Sequence, residues 1–254
     1  GFYDLDHQWR DYEAQAGLIR TLPLPPRARI LDVCCGSGSH AVLLAKQGFR
    51  VTGVDQSEAL LAQARSKARG VRVRIAWFKR DVFSLGRTPE FASRFEGAIL
   101  LGWTLSIDAI SRRFPELLRG VARALKPGGL FVFDVALGAN FHPAPESPIV
   151  YMLPTGFKGA LTIREDERAT NSLKAFSYFW DISRPDGRPP RRVATREVLR
   201  MTGPQEIFSL LKEFSGQFEV AHCLREYRLD RPFRKGEKNL IVVLRRLDGA
   251  VEQE

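Results

Sequence analysis

Apolar and polar positions follow two rhythms along this chain. Over residues 5–22 apolar side chains recur every three or four positions, with Trp9, Tyr12, Ala16 and Ile19 on one face, which predicts a helix that Pro23, Pro25 and Pro26 stop. Short aliphatic runs then alternate with helical patterns. Strands are predicted at 29–33, 50–54, 71–78, 95–101 and 130–135, with helices at 41–47, 59–68 and 114–125 between them. That alternation predicts a parallel, doubly wound sheet. Beyond residue 135 the rhythm changes. A Gly- and Pro-containing stretch at 136–148, which holds His142, is followed at 149–200 by patterns of antiparallel strands. There Phe176, Tyr178 and Trp180 share one face, and Pro185-Asp186-Gly187 marks a turn. A helix at 203–214 carries Ile207, Leu210, Leu211 and Phe214 as its apolar stripe, and strands at 218–227 and 240–247 end the pattern before a tail expected to fray.

Candidate chemistry gathers at the ends of the predicted strands. The first runs into Cys34-Cys35-Gly36-Ser37-Gly38, a strand–turn–helix junction at which glycine lets backbone N–H groups approach a ligand closely. A lone Gly-x-Gly is also compatible with a plain connecting loop. Asp55 follows the second strand, where a carboxylate can accept hydrogen bonds from both hydroxyls of a ribose lying across the glycine turn, or can cap the next helix, although Ser57 can do that alone. Asp81 ends the third strand, near where a nucleoside base would lie, and pairing with Arg80 is the alternative. Trp103, after the fourth strand, can stack on a ligand or fill the core.

The chain has 254 residues, of which 44% are hydrophobic, enough for one large domain with an elaboration. It shows no run of about 18 apolar residues and no charged-then-apolar leader, so no membrane partner and a cytoplasmic location are expected. Gly1 in place of a starting Met is expected of a trimmed or processed chain. Three cysteines, two of them adjacent, make neither a disulfide framework nor a zinc spacing, and no metal is expected. The formal net charge of +10 brings an anionic partner, a nucleic acid or an anionic metabolite, into consideration. Yet the arginines are scattered among groups such as Arg188, Arg191, Arg192 and Arg196, or Arg225, Arg228, Arg231 and Arg234, as on a solvated face.

Taken together, Leu31-Asp32-Val33-Cys34-Cys35-Gly36-Ser37-Gly38, Val51-Thr52-Gly53-Val54-Asp55-Gln56-Ser57, Asp81-Val82 and Leu125-Lys126-Pro127-Gly128-Gly129 resemble class I (Rossmann-like) S-adenosylmethionine-dependent methyltransferases. The flanks extend the likeness to the small-molecule type. Tyr3-Asp4 with Arg10-Asp11-Tyr12-Glu13-Ala14 is similar to the N-terminal segment of sugar-nucleotide N,N-dimethyltransferase-like proteins, and Leu199-Arg200-Met201-Thr202-Gly203-Pro204 to the segment leaving their strand insertion, with Met201 replacing the usual aromatic. The resemblance implies an α/β fold: a doubly wound, seven-stranded, mostly parallel sheet with an antiparallel last strand, an N-terminal helical lid, and an inserted antiparallel β element after the fifth strand. It implies a single domain over 1–254, with a lid at 1–26, a cofactor-binding core at 27–135, a β-rich substrate cap at 136–200, and a last helix and two strands at 201–247.

It also implies S-adenosylmethionine as cofactor, with S-adenosylhomocysteine as product. Gly36 and Gly38 would admit the methionine part, with Cys34 in the loop and Asp32 ordering it. Asp55, with Gln56 beside it, would hold the ribose. Asp81 and Val82 would read the adenine, Leu101 and Gly102 would serve the methionine end, and Tyr12 would bond its carboxylate. The Cys34-Cys35 pair departs from the commoner small residues there. Tyr3, Trp103, Tyr178 and Trp180 are candidates for the acceptor side. No catalytic base is assigned, and His142 is the weak candidate. The expected partner is a small-molecule acceptor methylated at N or O rather than C, on a monomer or homodimer.

Three rival readings are carried along. A nucleic-acid methyltransferase suits the charge but lacks an Asn/Asp-Pro-Pro-aromatic signature, since Gly102-Trp103-Thr104-Leu105 stands at that place. A dehydrogenase is suggested by Gly36-Ser37-Gly38-Ser39-His40-Ala41 and opposed by the absence of a Tyr-x-x-x-Lys or His-Asp set. The third is a relative that binds the cofactor without catalysis.

Overall fold

The computed structural model describes residues 4, 10–137, 147–152, 156–166 and 172–249. Helix α1 (Tyr12–Thr21) starts on Asp11, whose carboxylate accepts from the Ala14 N–H, and presents Ala16, Leu18 and Ile19 inward. There follow β1 (Arg29–Val33), α2 (Ser39–Lys46), β2 (Arg50–Asp55), α3 (Glu58–Gly70), β3 (Ala76–Lys79), β4 (Phe95–Leu100), the short α4 (Asp108–Ser111), α5 (Phe114–Ala124) and β5 (Leu125–Ala136). After these come β6 (Ile149–Met152), β7 (Lys158–Glu165), β8 (Leu173–Ser183), β9 (Arg191–Arg200), α6 (Pro204–Glu213), β10 (Phe218–Leu224) and β11 (Asn239–Arg246).

The main sheet has seven strands in the order β10-β11-β5-β4-β1-β2-β3, and β11 runs antiparallel to both its neighbours. Alternate residues of β5 and β11 feed opposite faces. Phe131, Phe133, Leu240, Val242 and Leu244 pack with α5 and α6, while Leu130, Val132, Ile241 and Val243 pack with α1 and α2. Each fully buried Leu or Phe in these layers contributes about 2–3 kcal/mol of transfer free energy. The chain reverses its direction of winding between β1 and β4, and ligands of such sheets lie beyond the strand ends at that point. The turns at residues 34–38 and 101–103 meet there.

Strands β6 to β9 form a separate antiparallel sheet, as the inserted pattern predicts. The turn at 185–187 is present, with Gly187 at φ 74°. Bridges from Leu199 to Ile107 and from Thr202 to Leu137, with an ion pair between Arg200 and Asp108 at 3.0 Å, attach this sheet beside β4 and β5.

Four expected elements differ. The helix expected over 5–22 starts at Tyr12, because the Asp11 side chain caps it there and Arg10 stands outside it. The third strand begins at Ala76 instead of residue 71, because α3 runs on to Gly70 and the N–H groups of Val71 and Val73 close its end on Lys67 and Ala68. Lys126 to Gly129 loops out within β5 instead of preceding it, as Phe95 pairs with Leu125 but Gly97 with Leu130. The strand expected over 218–227 ends at Leu224, which frees Tyr227 to turn inward. Among the described residues no helix is long and apolar enough to cross a membrane, and no group of His, Cys, Asp or Glu could hold a metal.

Candidate functional site

The turn after β1 is built from left-handed backbone at Cys34 (φ 56°), Gly36 (φ 54°) and Gly38 (φ 77°). Its shape is fixed from both sides. The Cys35 N–H donates to the Val54 carbonyl at 3.0 Å, and the Gly36 N–H donates to Asp55 Oδ2 at 2.9 Å. Behind the turn stands Trp77 of β3. A Cβ on Gly38 would lie 2.6 Å from its ring and 2.8 Å from Ala64 Cβ, and one on Gly53 would lie 2.5 Å from the same ring. Glycine is therefore needed at position 38 for packing as well as for φ.

Asp55 is 8% exposed, and its other oxygen accepts from the Ser57 N–H at 2.8 Å, while Ser57 itself caps α3. Each Asp55 oxygen thus holds one backbone N–H and keeps acceptor capacity for another donor. Asp32 is buried beside it with Oδ2 accepting no hydrogen bond from the chain. Burial, then the Asp55 charge, push its carboxyl up to about 8 against the opposing Ala41 N–H.

Facing the turn, Arg10, Tyr12, Leu101 and Thr104 enclose with Cys34, Cys35, Ser37, Ser39 and His40 a polar cavity of about 30 Å³, room for a water. Asp4 lies across its rim. Its carboxylate accepts from Ser37 Oγ and Lys67 Nζ, both at 2.5 Å, and Lys67 also reaches Ser37 and Ser39. Burial raises the Asp4 carboxyl, but these bonds outweigh it and hold it below its usual value. Tyr12 meets the His40 ring edge-on at 4.9 Å.

The opposite wall is the turn after β4, where Gly102 (φ 81°) and Trp103 (φ 58°) are both left-handed, a strain of about 1–2 kcal/mol for a Trp. Two bonds to one carboxylate offset it. Asp134, wholly buried on β5, accepts from the Gly102 N–H at 3.0 Å and the Trp103 N–H at 2.7 Å. The Arg10 guanidinium occupies the space over Gly102 that a Cβ would need.

A family model described as a methyltransferase domain matches residues 30–129, the span that holds the glycine turn, Asp55 and the Gly102 turn. Over that span the chain is similar to a methyltransferase domain. YqeM of Bacillus subtilis is 33% identical over 112 residues, 44% of each chain, and the chain spans about half the length of the curated relatives it matches. Among solved structures, an S-adenosylmethionine-dependent methyltransferase from Clostridium acetobutylicum aligns with a TM-score of 0.75 over 98% of this chain and 99% of its own, at 16% identity. The sugar N-methyltransferase KedS8 from Streptoalloteichus aligns with a TM-score of 0.70 over 95% and 92%, at 19% identity. These likenesses are of fold alone, and they extend over the inserted sheet and the last strands.

Of the residues singled out from the sequence, Tyr12, Cys34 and Leu101 line that cavity, Gly36 is bonded to Asp55, and Asp32 is buried next to Asp55. Gln56 is exposed beside Asp55. Asp81 caps the short helix Val82–Arg87 through the Phe83 N–H at 3.0 Å, while Arg80 pairs with Glu90 instead of Asp81. Val82 is buried in the core. Tyr178 and Trp180 belong to the second sheet. Trp180 is 8% exposed and 5.4 Å from the Tyr151 ring, and the Tyr178 hydroxyl is 3.4 Å from Glu197. Tyr3 and His142 lie outside the described residues. Sequence reasoning gave no role to Arg10, Gln15, His40, Lys67, Trp77, Asp134 or Tyr227. Asp134 does carry a signal, a lone carboxylate inside the apolar run Leu130 to Ala136, which demands buried partners.

The protein should show an unusual pH profile of stability. Asp32 ionises near 8 in the fold against an ordinary 3.8, so the folded chain keeps a proton that the unfolded chain sheds, and stability falls as pH rises across that window. His40 opposes it at the acid end. Burial, then the charges of Arg10 and Lys67, lower its pKa from 6.5 to about 3, so its contribution is lost as pH falls through that range. The two slopes cancel between about pH 4 and 6.5, leaving a decline of about 1.4 kcal/mol per pH unit from 6.5 to 8. Urea unfolding at pH 6.5 and 8 measures it, and Asp32→Asn is expected to flatten it.

Proposed function

We propose that this protein transfers a methyl group from S-adenosylmethionine to a nitrogen or oxygen of a small metabolite. The observation that carries the reading is the junction of the glycine turn with Asp55. A loop of backbone N–H groups and a carboxylate with two open acceptor sites are locked together by the bond from Gly36, as a ligand with an amino-acid end and a ribose requires. The residues fit such a cofactor on two further counts. Asp32 Oδ2 is a buried polar atom with no hydrogen-bond partner in the chain, and the cavity between Tyr12, Arg10 and Ser39 is lined by donors suited to a carboxylate.

In this reading Gly36 and Gly38 admit the methionine portion, Asp55 holds the ribose hydroxyls with Gln56 alongside, Asp81 and Val82 take the adenine, and Leu101, Gly102 and Tyr12 line the methionine end. The cavity is smaller than a methionine side chain, so the Arg10 and Tyr12 side chains would shift to admit the cofactor and cover it. When bound, the cofactor supplies a methyl group on a sulfonium. The protein's task is to hold the acceptor about 3 Å from that carbon and in line with the breaking bond, and to exclude water. A neutral amine needs no base, and none is assigned. Trp103 and, from the inserted sheet, Tyr178 and Trp180 are the acceptor-side residues, with Tyr3 completing the set.

The net charge alone suggests a nucleic-acid acceptor. The arginine groups do not favour it, because Arg192 pairs with Asp181 at 2.7 Å, Arg196 with Asp166 at 2.9 Å, Arg225 with Glu237 at 3.0 Å and Arg228 with Asp230 at 2.8 Å. Titration calorimetry with S-adenosylhomocysteine tests the cofactor, and no heat of binding would refute it. Release of S-adenosylhomocysteine when amino-sugar and phenolic acceptors are supplied separates an enzyme from a relative that only binds.

A further inference from the structure

The two walls of the crevice are joined by one chain of hydrogen bonds. His40, on α2 just past the glycine turn, has Nε2 2.5 Å from Gln15 Oε1 on α1. Gln15 Nε2 donates to the Tyr227 hydroxyl at 3.1 Å, and Tyr227 donates to Asp134 Oδ2 at 2.5 Å. Asp134 in turn accepts from Gly102 and Trp103 on the far wall.

The direction of every link follows from its end. A carboxylate that receives two backbone N–H groups and the Tyr227 hydroxyl only accepts, so Tyr227 spends its proton there and can only accept from Gln15. The Gln15 amide then turns its oxygen to His40, whose ring is held neutral, and Nε2 of His40 carries the proton. No member can reverse without breaking its neighbour. Five segments distant in sequence, α2, α1, the stretch after β10, the end of β5 and the turn after β4, are thereby tied into one register.

We propose that Asp134 and Tyr227 are positioning residues that couple the docking of helix α1 to the shape of the Gly102–Trp103 turn, so that the seating of α1 and the formation of the donor wall are one event. The inference rests on the methyltransferase reading only in taking the cofactor to lie between these walls; the chain itself does not depend on it. Its consequence is cooperative. A ligand that seats α1 also fixes the left-handed turn, and a change at either end is felt at the other.

Tyr227→Phe removes one oxygen and keeps the ring, and Gln15→Leu breaks the chain on the α1 side. In Tyr227→Phe, amide exchange at Gly102, at Trp103 and along α1 is expected to accelerate together about tenfold, while the core amides of β1 and β4 keep their protection. The dissociation constant for S-adenosylhomocysteine is expected to rise about tenfold. In the double variant the loss should stay near that of either single variant. Exchange unchanged at Gly102 and Trp103, acceleration spread equally over every strand, or affinity losses that multiply would each overturn the coupling. Should Gln15→Leu fail to fold, exchange in Tyr227→Phe decides alone. Should the unaltered protein bind no S-adenosylhomocysteine, the cofactor reading fails, and the exchange pattern still judges the coupling.

Discussion

Replacing Gly38 by alanine is expected to cost about 2–5 kcal/mol of stability, the sum of two separate penalties. The first is conformational. Gly38 sits at φ 77°, where a Cβ crowds the following carbonyl and costs about 1–2 kcal/mol. The second is steric. The new Cβ would stand 2.6 Å from the Trp77 ring and 2.8 Å from Ala64 Cβ, distances that force β3 or α3 to shift, at about 1–3 kcal/mol for overpacking. Gly48 provides the control, since its φ is 96° but nothing lies within 4 Å of an added Cβ, so Gly48→Ala should show the conformational penalty alone. Urea unfolding of both variants separates the two contributions. Combining Gly38→Ala with Trp77→Leu should recover the share of the steric part that Trp77 sets, while the 2.8 Å approach to Ala64 Cβ stays, and no recovery would mean that Trp77 does not set the limit.

That pairing shows where the sequence was legible and where it was not. The glycine turn, Asp55 and the alternation of strands and helices are local patterns, and each rests on residues within a few positions of one another, so periodicity and turn chemistry suffice to place them. The inserted sheet was legible for the same reason, through the two-residue spacing of Phe176, Tyr178 and Trp180. Trp77 lay in view inside a predicted strand, but nothing in its neighbours says that it backs a glycine 39 positions earlier. The same holds for Tyr227 against Asp134, 93 residues apart, and for Gln15 against Tyr227, 212 apart. Such contacts follow from the strand order, which brings β5 and β11 to the side of β4 away from β2, and no local propensity encodes that order. The boundaries that moved have local causes instead. The helix before β3 ran on because its last carbonyls found donors in Val71 and Val73, a competition that alternation alone does not register.

Asp55→Asn is expected to weaken S-adenosylhomocysteine binding about 100-fold while leaving the fold intact. A carboxylate that accepts from two ribose hydroxyls makes two charge-assisted bonds of about 1.5–3 kcal/mol each, and an amide loses the charge on both and the acceptor on one, so about 3 kcal/mol is at stake. The fold survives because an amide oxygen can still receive Gly36 or Ser57, each now held by a single N–H contact at 2.9 or 2.8 Å. The variant should also change the protein's response to pH. The Asp55 charge is the second cause, after burial, of the raised Asp32 carboxyl, so its removal moves the Asp32 midpoint below 8 and narrows the range over which stability declines with rising pH. Calorimetry reads the first effect and urea unfolding at pH 6.5 and 8 the second. An affinity within threefold of the unaltered protein would remove Asp55 from the binding site. A lost affinity with an unchanged pH profile would leave it in the site but uncoupled from Asp32. Both effects together are expected if the carboxylate proposed to hold the ribose also adds, after burial, to the raised carboxyl beside it.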